Sequence, residues 1–498
     1  MTLSTLLALA SETFPDRVAF QDSQGPVTYG VLAARAGQVA GLLLAKKVES
    51  VAMLAANSTL YPVLIFGAAL AGVPFVPLNY RLTNPQLNAQ AKRLGHALLV
   101  HDAGNAGRIT QAEGVELLSA ADFIAALPAA APEILPDVTL DQAACWLFTS
   151  GTTGEPKIAL LAHEKLCAYI YSSVEPFSAT DEDTVLASVP PYHIAGLAGV
   201  LSNTFACRRV IYLENFSPEA WVDTVLSEKI SQAMLVPTMV QRVLPVLKAR
   251  GEILPDLRTL SYGGGRMPRE LILEAMAWLP HVGFTNAYGL TETSSTITLL
   301  SPEDHRLAVA SDDAKVQARL GSVGKPLPGV EIEVRRDDGT RAAPDETGEI
   351  WVRSEQVAGS YAGRGSLLVD GWFCTRDQGW LDAAGYLFLI GRVDDVIVRG
   401  GENISPGEIE DVIRTLPFIA DVAVVAKADH EWGEVPVAFV VCKEGMALDE
   451  AGLRAKVRTE LRSTREPAEI ILVAELPYNE TGKLLRGPLR EMLVQRAA

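Results

Sequence analysis

Two hydrophobic periods alternate along most of the chain. Apolar residues at helical spacing run through Leu6–Phe14, and again from Val27 to about Leu44. This is the pattern of helices that bury one face. Short apolar runs bounded by turn residues predict buried strands at Val51–Ala55, Val73–Val76, Ala97–Val100, Thr184–Ser188, Val210–Tyr212, Ala233–Val236 and Thr259–Tyr262. A helix over Tyr61–Ala71 separates the first two. Alternation of this kind reads as βα units of an α/β domain. Glu331–Arg335 and Glu349–Val352 instead alternate residue by residue around Asp337-Asp338-Gly339, the signature of an antiparallel hairpin and a small β-subdomain. Farther on, a helix over Pro406–Thr415, strands at Val422–Ala426 and Val437–Val441, a helix over Ala447–Leu461 and a strand at Ile470–Val473 make a small α+β domain. The expected division is therefore 1–391, a hinge at 392–395, and a mobile C-terminal domain at 396–498.

One stretch tests this reading. Val51 to Tyr80 carries no charge, which is long enough to suggest a membrane span. Pro62, Pro74 and Pro77, with Gly67 and Gly72, interrupt it, and a buried strand–helix–strand fits better. No Lys or Arg precedes Arg17, so the basic start of a secretory signal is missing. With 498 residues, 48% of them hydrophobic, the chain has the material for large cores. A net charge of −17 argues against nucleic acid or an anionic membrane as partner. Five scattered cysteines with no C-x-x-C pair suit a reducing, cytoplasmic setting and give no metal cluster.

The chemistry is concentrated in Thr149-Ser-Gly-Thr-Thr-Gly-Glu-Pro-Lys157, directly after the apolar run Ala143–Phe148. Glycines admit close backbone approach to phosphates, the hydroxyls of Thr149, Ser150, Thr152 and Thr153 donate, and Lys157 adds charge. The string is not G-x-x-x-x-G-K-[ST]. Clusters of Gly, Ser and Thr also make plain flexible loops. Four further segments follow: Asn286-Ala-Tyr-Gly-Leu-Thr-Glu292, Asp370-Gly-Trp-Phe-Cys-Thr-Arg-Asp377, Gly391–Glu410 with its Arg392-Val-Asp394 and Gly400-Gly401, and Asn479-Glu-Thr-Gly-Lys483.

Together and in this order, the five segments resemble the adenylate-forming superfamily of acyl-CoA synthetases, nonribosomal adenylation domains and luciferases. The resemblance implies an ATP-dependent, AMP-forming acid–thiol ligase using Mg²⁺ and coenzyme A, and is closest to a bacterial acyl- or aryl-CoA ligase. Ser150, Gly151, Thr152, Thr153 and Gly154, between Thr149 and Lys157, would cradle the ATP phosphates. Gly264, Gly265, Asn286, Ala287, Tyr288, Gly289, Asp377 and Arg392 would hold adenosine. Thr291 and Glu292 would serve catalysis, Glu292 also as the Mg²⁺ ligand, and Lys483 would bridge carboxylate and α-phosphate. His193, Gly263 and Arg266 would line or gate the acyl pocket. Asp394 would be the hinge about which the C-terminal domain turns between half-reactions, and Gly400 and Gly401 would line the CoA channel. A carboxylic acid is the implied substrate. A carrier-protein phosphopantetheine is the alternative acceptor, although no carrier domain follows before Ala498. Aromatic and medium-chain acids both suit the apolar Ile194, Leu197 and Leu201. Oligomeric state, a homodimer included, stays open.

The family pattern is broken at four places. Ile158 stands where glycine is common, Arg376 where Thr-Gly-Asp is usual, and Gly265-Arg266 where relatives read Ala-Pro. Arg266 reads either as a contact for a second anionic group on the acid or as one half of a surface salt bridge.

Overall fold

The computed structural model describes residues 1–497 except 111, 150–155, 364, 401, 462 and 479–483. Its larger N-terminal part holds two main sheets. In the first, strands run in the order Val115–Ser119, Ala97–His101, Ser50–Leu54, Phe75–Pro77, Ala143–Thr149, Lys157–Ala162. All neighbours are parallel except the last pair, which is antiparallel with Thr149 opposite Lys157. The uncharged stretch becomes strand Ser50–Leu54, helix Leu60–Ala71 and strand Phe75–Pro77, and most of it is fully buried. Covered on both faces by helices, such strands need apolar residues throughout rather than alternation. No described helix is long and apolar enough to cross a membrane.

The second sheet has nine strands, ordered Lys325–Pro326, Ser295–Leu300, Gly283–Leu290, Thr259–Gly263, Gln232–Leu235, Thr184–Ala187, Arg209–Tyr212, Val18–Asp22, Gly25–Thr28. The five central strands and Val18–Asp22 are parallel, and antiparallel pairs close both ends. One continuous core joins the first helix, Leu3–Thr13, to the helices Tyr29–Lys46 and Leu60–Ala71 and to both sheets.

Glu331–Arg335 pairs antiparallel with Gly348–Arg353, as the alternation predicts. The pair is extended by Trp372–Leu381 and Leu387–Arg392 into a five-stranded sheet. The C-terminal domain is a second five-stranded sheet, with Ile419–Asp429 and Gly433–Cys442 at its centre and helices Pro406–Arg414 and Glu450–Glu460 against it. Its helix Pro406–Arg414 buries Ile409, Val412 and Ile413 on one face. The mixed α/β architecture, with a large N-terminal and a small C-terminal domain, is the one expected.

All five cysteines are free thiols, and Cys145 and Cys207 are core residues. His163 is also buried and accepts a hydrogen bond at Nδ1 from the Leu3 amide, 3.2 Å away.

Candidate active site

The segment at the heart of the phosphate reading joins two antiparallel strands rather than a strand and a helix. The Thr149–Lys157 register fixes its two ends. Ser150, Gly151, Thr152, Thr153 and Gly154 lie outside the described residues, as do Gly401 and Lys483. The ends are braced from outside by Arg93, which donates to the Pro156 carbonyl and lies 5.5 Å over the Phe148 ring.

Beside these ends runs the strand Gly283–Leu290. Asn286 commits Nδ2 to the Ser322 carbonyl at 3.0 Å, so the side chain offers Oδ1, the acceptor an exocyclic amine needs. Ala287 pairs with Gly263 across the parallel strands, and there the backbone is too close for a side chain: a Cβ on Gly263 would stand 2.4 Å from the Ala287 carbonyl oxygen. Gly264 adopts φ +76°, which glycine enters without penalty. Around Gly265 the nearest atoms to an added Cβ are 3.9 Å away, so the alanine of the family pattern would fit.

Tyr288 donates to Asp377 Oδ2 at 2.6 Å, and Asp377 Oδ1 is held by Arg392 Nε at 2.9 Å. Asp377 and Arg392 are directly opposite on neighbouring strands, which is why residues so far apart in two motifs meet. Burial, and then the Asp377 carboxylate, raises the Tyr288 phenol well above its ordinary pKa, so it stays a donor.

Beyond Tyr288, the chain passes a bulge into a short 3₁₀ turn, Thr291–Thr293, whose Thr293 hydroxyl ties Leu290 to Ser295. The turn carries Glu292. Its carboxylate accepts from the Tyr361 hydroxyl, and its carbonyl accepts from the Ala358 amide at 2.8 Å. Tyr361 also contacts Thr149, and its ring lies 5.4 Å beneath Lys157 Nζ. Burial and the Glu292 charge raise its pKa too. Tyr361 thus joins both ends of the phosphate segment to the acidic turn. Sequence reading missed it, because a lone Tyr among Gly359, Ser360 and Ala362 carries no periodic or motif signal.

His193 has the Tyr192 ring 4.5 Å away, and Tyr192 is edge-on to Tyr80. Its Nε2 is enclosed and makes no hydrogen bond among the described residues. Burial, aided by the charge of Arg81, pushes its pKa down to about 4. His163 is pushed to about 4 as well, by burial and then by the N-terminal charge. Both are therefore neutral when folded and protonate near pH 6.5 when unfolded. Their contribution is fully present above pH 6.5 and is lost as pH falls toward 4, by up to about 1.4 kcal/mol per pH unit each. Thermal unfolding followed from pH 7 to 5 should show a falling Tm, and His163→Gln should flatten that slope. An unchanged slope in the variant would remove His163 from the account.

Arg266 has an exposed guanidinium that pairs with Asp411 of the C-terminal domain at 2.6 Å. Arg376 likewise turns outward, toward Glu349 at 3.7 Å and Asp394 at 3.8 Å. Gly400, at φ +57°, donates to the Trp432 carbonyl at 2.8 Å.

The model of AMP-binding enzymes matches residues 7–362, and that of the AMP-binding enzyme C-terminal domain matches residues 408–483. The chain belongs to the AMP-binding enzyme family. A feruloyl-CoA synthase from Amycolatopsis sp is 32% identical over 96% of each chain. A 2-succinylbenzoate–CoA ligase from Geobacillus kaustophilus is 34% identical, again over 96% of both. Among solved structures, the o-succinylbenzoate CoA synthetase of Bacillus subtilis in complex with the acyl-adenylate OSB-AMP superposes with a TM-score of 0.85 at 28% identity, covering 97% of both chains. Its complex with ATP and a magnesium ion gives 0.84.

Proposed function

We infer that this protein is an AMP-forming acid–CoA ligase whose substrate is an aryl carboxylic acid. The observation that carries the reading is the contact chain Lys157/Thr149–Tyr361–Glu292 beside Tyr288–Asp377–Arg392. These contacts support the reading because they link residues proposed for the phosphates and Mg²⁺ and, beside them, residues proposed for adenosine. In the first half-reaction a carboxylate oxygen attacks the α-phosphorus of ATP, the Pα–O–Pβ bond breaks, and pyrophosphate leaves. In the second, the CoA sulfur attacks the acyl carbonyl, the C–O bond to AMP breaks, and the thiol proton passes to solvent.

Lys157 and the loop it closes hold the phosphates. Asp377 accepts from the ribose hydroxyls, oriented by Arg392 and Tyr288. Asn286 and the Tyr288 ring take adenine, with Gly263, Gly264 and Ala287 forming the floor. Glu292 fits Mg²⁺, because a single carboxylate next to a phosphate site is a donor set this hard cation accepts, with substrate oxygens completing it. The bound ion would neutralise charge on the phosphates. Lys483, through its motif, supplies the cation at the carboxylate–phosphate junction, and Thr291 a phosphate contact. Gly400 and Gly401 border the thiol's approach.

An aryl acid is supported by the aromatic set Tyr80, Tyr192 and His193 and by the aryl acids named for the relatives. The free thiols favour the cytoplasm. Acid-dependent pyrophosphate and AMP release with Mg-ATP, over aromatic, medium-chain and dicarboxylic acids with and without CoA, tests all of this. Aryl-CoA should be the product. A preference for medium-chain acids would overturn the substrate class, and adenylate that ignores CoA would point to a carrier protein. Tyr361→Phe should fold normally yet slow pyrophosphate release about tenfold, since it removes the tie between Glu292 and the phosphate segment; an unchanged rate would make Tyr361 mere packing.

A further inference from the structure

Two of the places where the chain breaks the family pattern are arginines: Arg266 reaches the C-terminal domain, and Arg376 lies between Glu349, at 3.7 Å, and Asp394 of the hinge, at 3.8 Å. Arg266 follows the Gly263-Gly264-Gly265 floor and donates to Asp411 Oδ2 at 2.6 Å. Asp411 lies on the helix Pro406–Arg414, and its Oδ1 accepts no hydrogen bond among the described residues. The helix also makes room for the arginine: a Cβ on Gly407 would stand 2.0 Å from Arg266 Nη1. Gly407 is the second residue of that helix, and its missing side chain leaves the gap that the guanidinium occupies.

Arg376 is stranger. It holds φ +61°, the left-handed region that the glycine of the family pattern enters freely and arginine does not. Non-glycine residues persist there where surrounding structure imposes it, commonly for a functional reason. The strained backbone accepts a hydrogen bond from the Val393 amide at 3.0 Å, and the side chain sits 3.8 Å from Asp394. From the other side Arg490, on the last helix, donates to the Asp394 carbonyl at 2.6 Å and reaches the Asp395 carboxylate. The hinge segment is thus held between an arginine of each domain.

We propose that Arg266 and Arg376 are positioning residues that jointly latch the C-terminal domain in the orientation seen here, Arg266 through Asp411 and Arg376 through Asp394, and release it for the other half-reaction. The proposal rests on the ligase reading, in which one site serves two half-reactions. Both pairs are part-exposed, with Arg266 49% and Arg376 60% open to solvent, so each is weak. That strength suits a latch. A contact that must break every turnover has to shift the balance of two orientations by a few-fold, without fixing one of them.

The test separates orientation from chemistry. Spin labels on Ser227→Cys and Ala451→Cys, in a background with Cys374 and Cys442 changed to Ser, report the interdomain distance without substrate. The wild-type background should show one dominant distance, that of this structure. Arg266→Ala with Arg376→Gly should move at least a third of the population elsewhere, and 1 M salt should move the wild type in the same way while leaving the double variant unchanged. Gly407→Ala, which alters no charge, should reproduce the Arg266→Ala effect by displacing the guanidinium. Exchanging the charges in Arg266→Asp with Asp411→Arg should restore the original distribution. In single turnover, the ratio of pyrophosphate release to thioester formation should change at least threefold in the double variant. Unchanged distances with an unchanged ratio, in an enzyme that still makes acyl-CoA, would overturn the latch and leave the ligase reading intact. Loss of acyl-CoA formation in the wild type itself would instead strike the ligase reading, and the distances would still judge the latch.

Discussion

Lys483→Ala should abolish acid-dependent pyrophosphate release while leaving the conversion of supplied acyl-adenylate and CoA to thioester within a few-fold of wild type. The reason is where charge develops. Attack by an anionic carboxylate on an anionic phosphate brings negative charge together at one junction, and a cation placed there acts most strongly in the transition state. Removing one such group typically costs ~10²- to 10³-fold. The second half-reaction has no such junction, since AMP leaves as the thiol adds. The strands and helices flanking the motif should hold in the variant, because Tyr478 pairs with Leu484 and its hydroxyl donates to Asp421 at 2.6 Å without the lysine. Radiolabelled pyrophosphate exchange measures the first step and thioester release from synthetic adenylate the second. Equal loss of both would remove Lys483 from the role assigned to it.

Gly289→Ala should be the most damaging single methyl in the site. A Cβ at Gly289 would stand 1.9 Å from the Ser295 carbonyl oxygen, 2.6 Å from its carbon and 2.9 Å from the Thr296 Cα. These are backbone atoms of the paired strand, in register opposite Gly289 and Leu290, and they cannot rotate away as a side chain would. Relief requires the two strands to part at the bulge between Tyr288 and Glu292, the two residues proposed to meet adenine and Mg²⁺. Overpacking of this kind costs ~3 kcal/mol or more when the obstacle is backbone. The expected result is a Tm lowered by several degrees together with loss of the stabilisation that Mg-ATP confers on the wild type. Gly265→Ala is the matched control, because its added Cβ meets nothing closer than 3.9 Å. If both variants melt alike, the close approach at Gly289 is not what fixes this turn.

These expectations differ in how much of them the sequence held. The uncharged Val51–Tyr80 stretch was legible as strand, helix and strand because burial on both faces leaves its mark in composition. The hairpin at Glu331–Arg335 was legible because one-sided burial leaves alternation. The strand Gly283–Leu290 escaped pattern reading, since Gly283, Asn286 and Gly289 break its apolar run for the sake of close backbone approach and a part-buried amide held by Ser322. Tyr361 escaped because its importance lies in partners from two other segments, Thr149 and Lys157 in one and Glu292 in the other.

Arg266 shows the limit most plainly. Its position could be flagged from the sequence as unusual, with an anionic substrate and a surface ion pair as the open choices. Only the fold shows that Asp411, far along the chain, is the partner, and that Gly407 leaves room for it. Arg376 was flagged in the same way. Its left-handed backbone and its nearness to Asp394 follow from how the strand Trp372–Leu381 meets the hinge, which no local pattern encodes.

By itself the sequence marked the candidate chemistry: the residues proposed for the phosphates, for Mg²⁺, for ribose and for the carboxylate–phosphate junction, each written in a short contiguous motif. It could do so because groups that grip one small ligand must be of particular residue types at fixed spacings. The tertiary structure decided which of these groups touch, which tyrosine joins them, and which arginines belong to the seam between domains. Contacts between distant segments depend on strand order and register, and those arise from packing the whole chain at once.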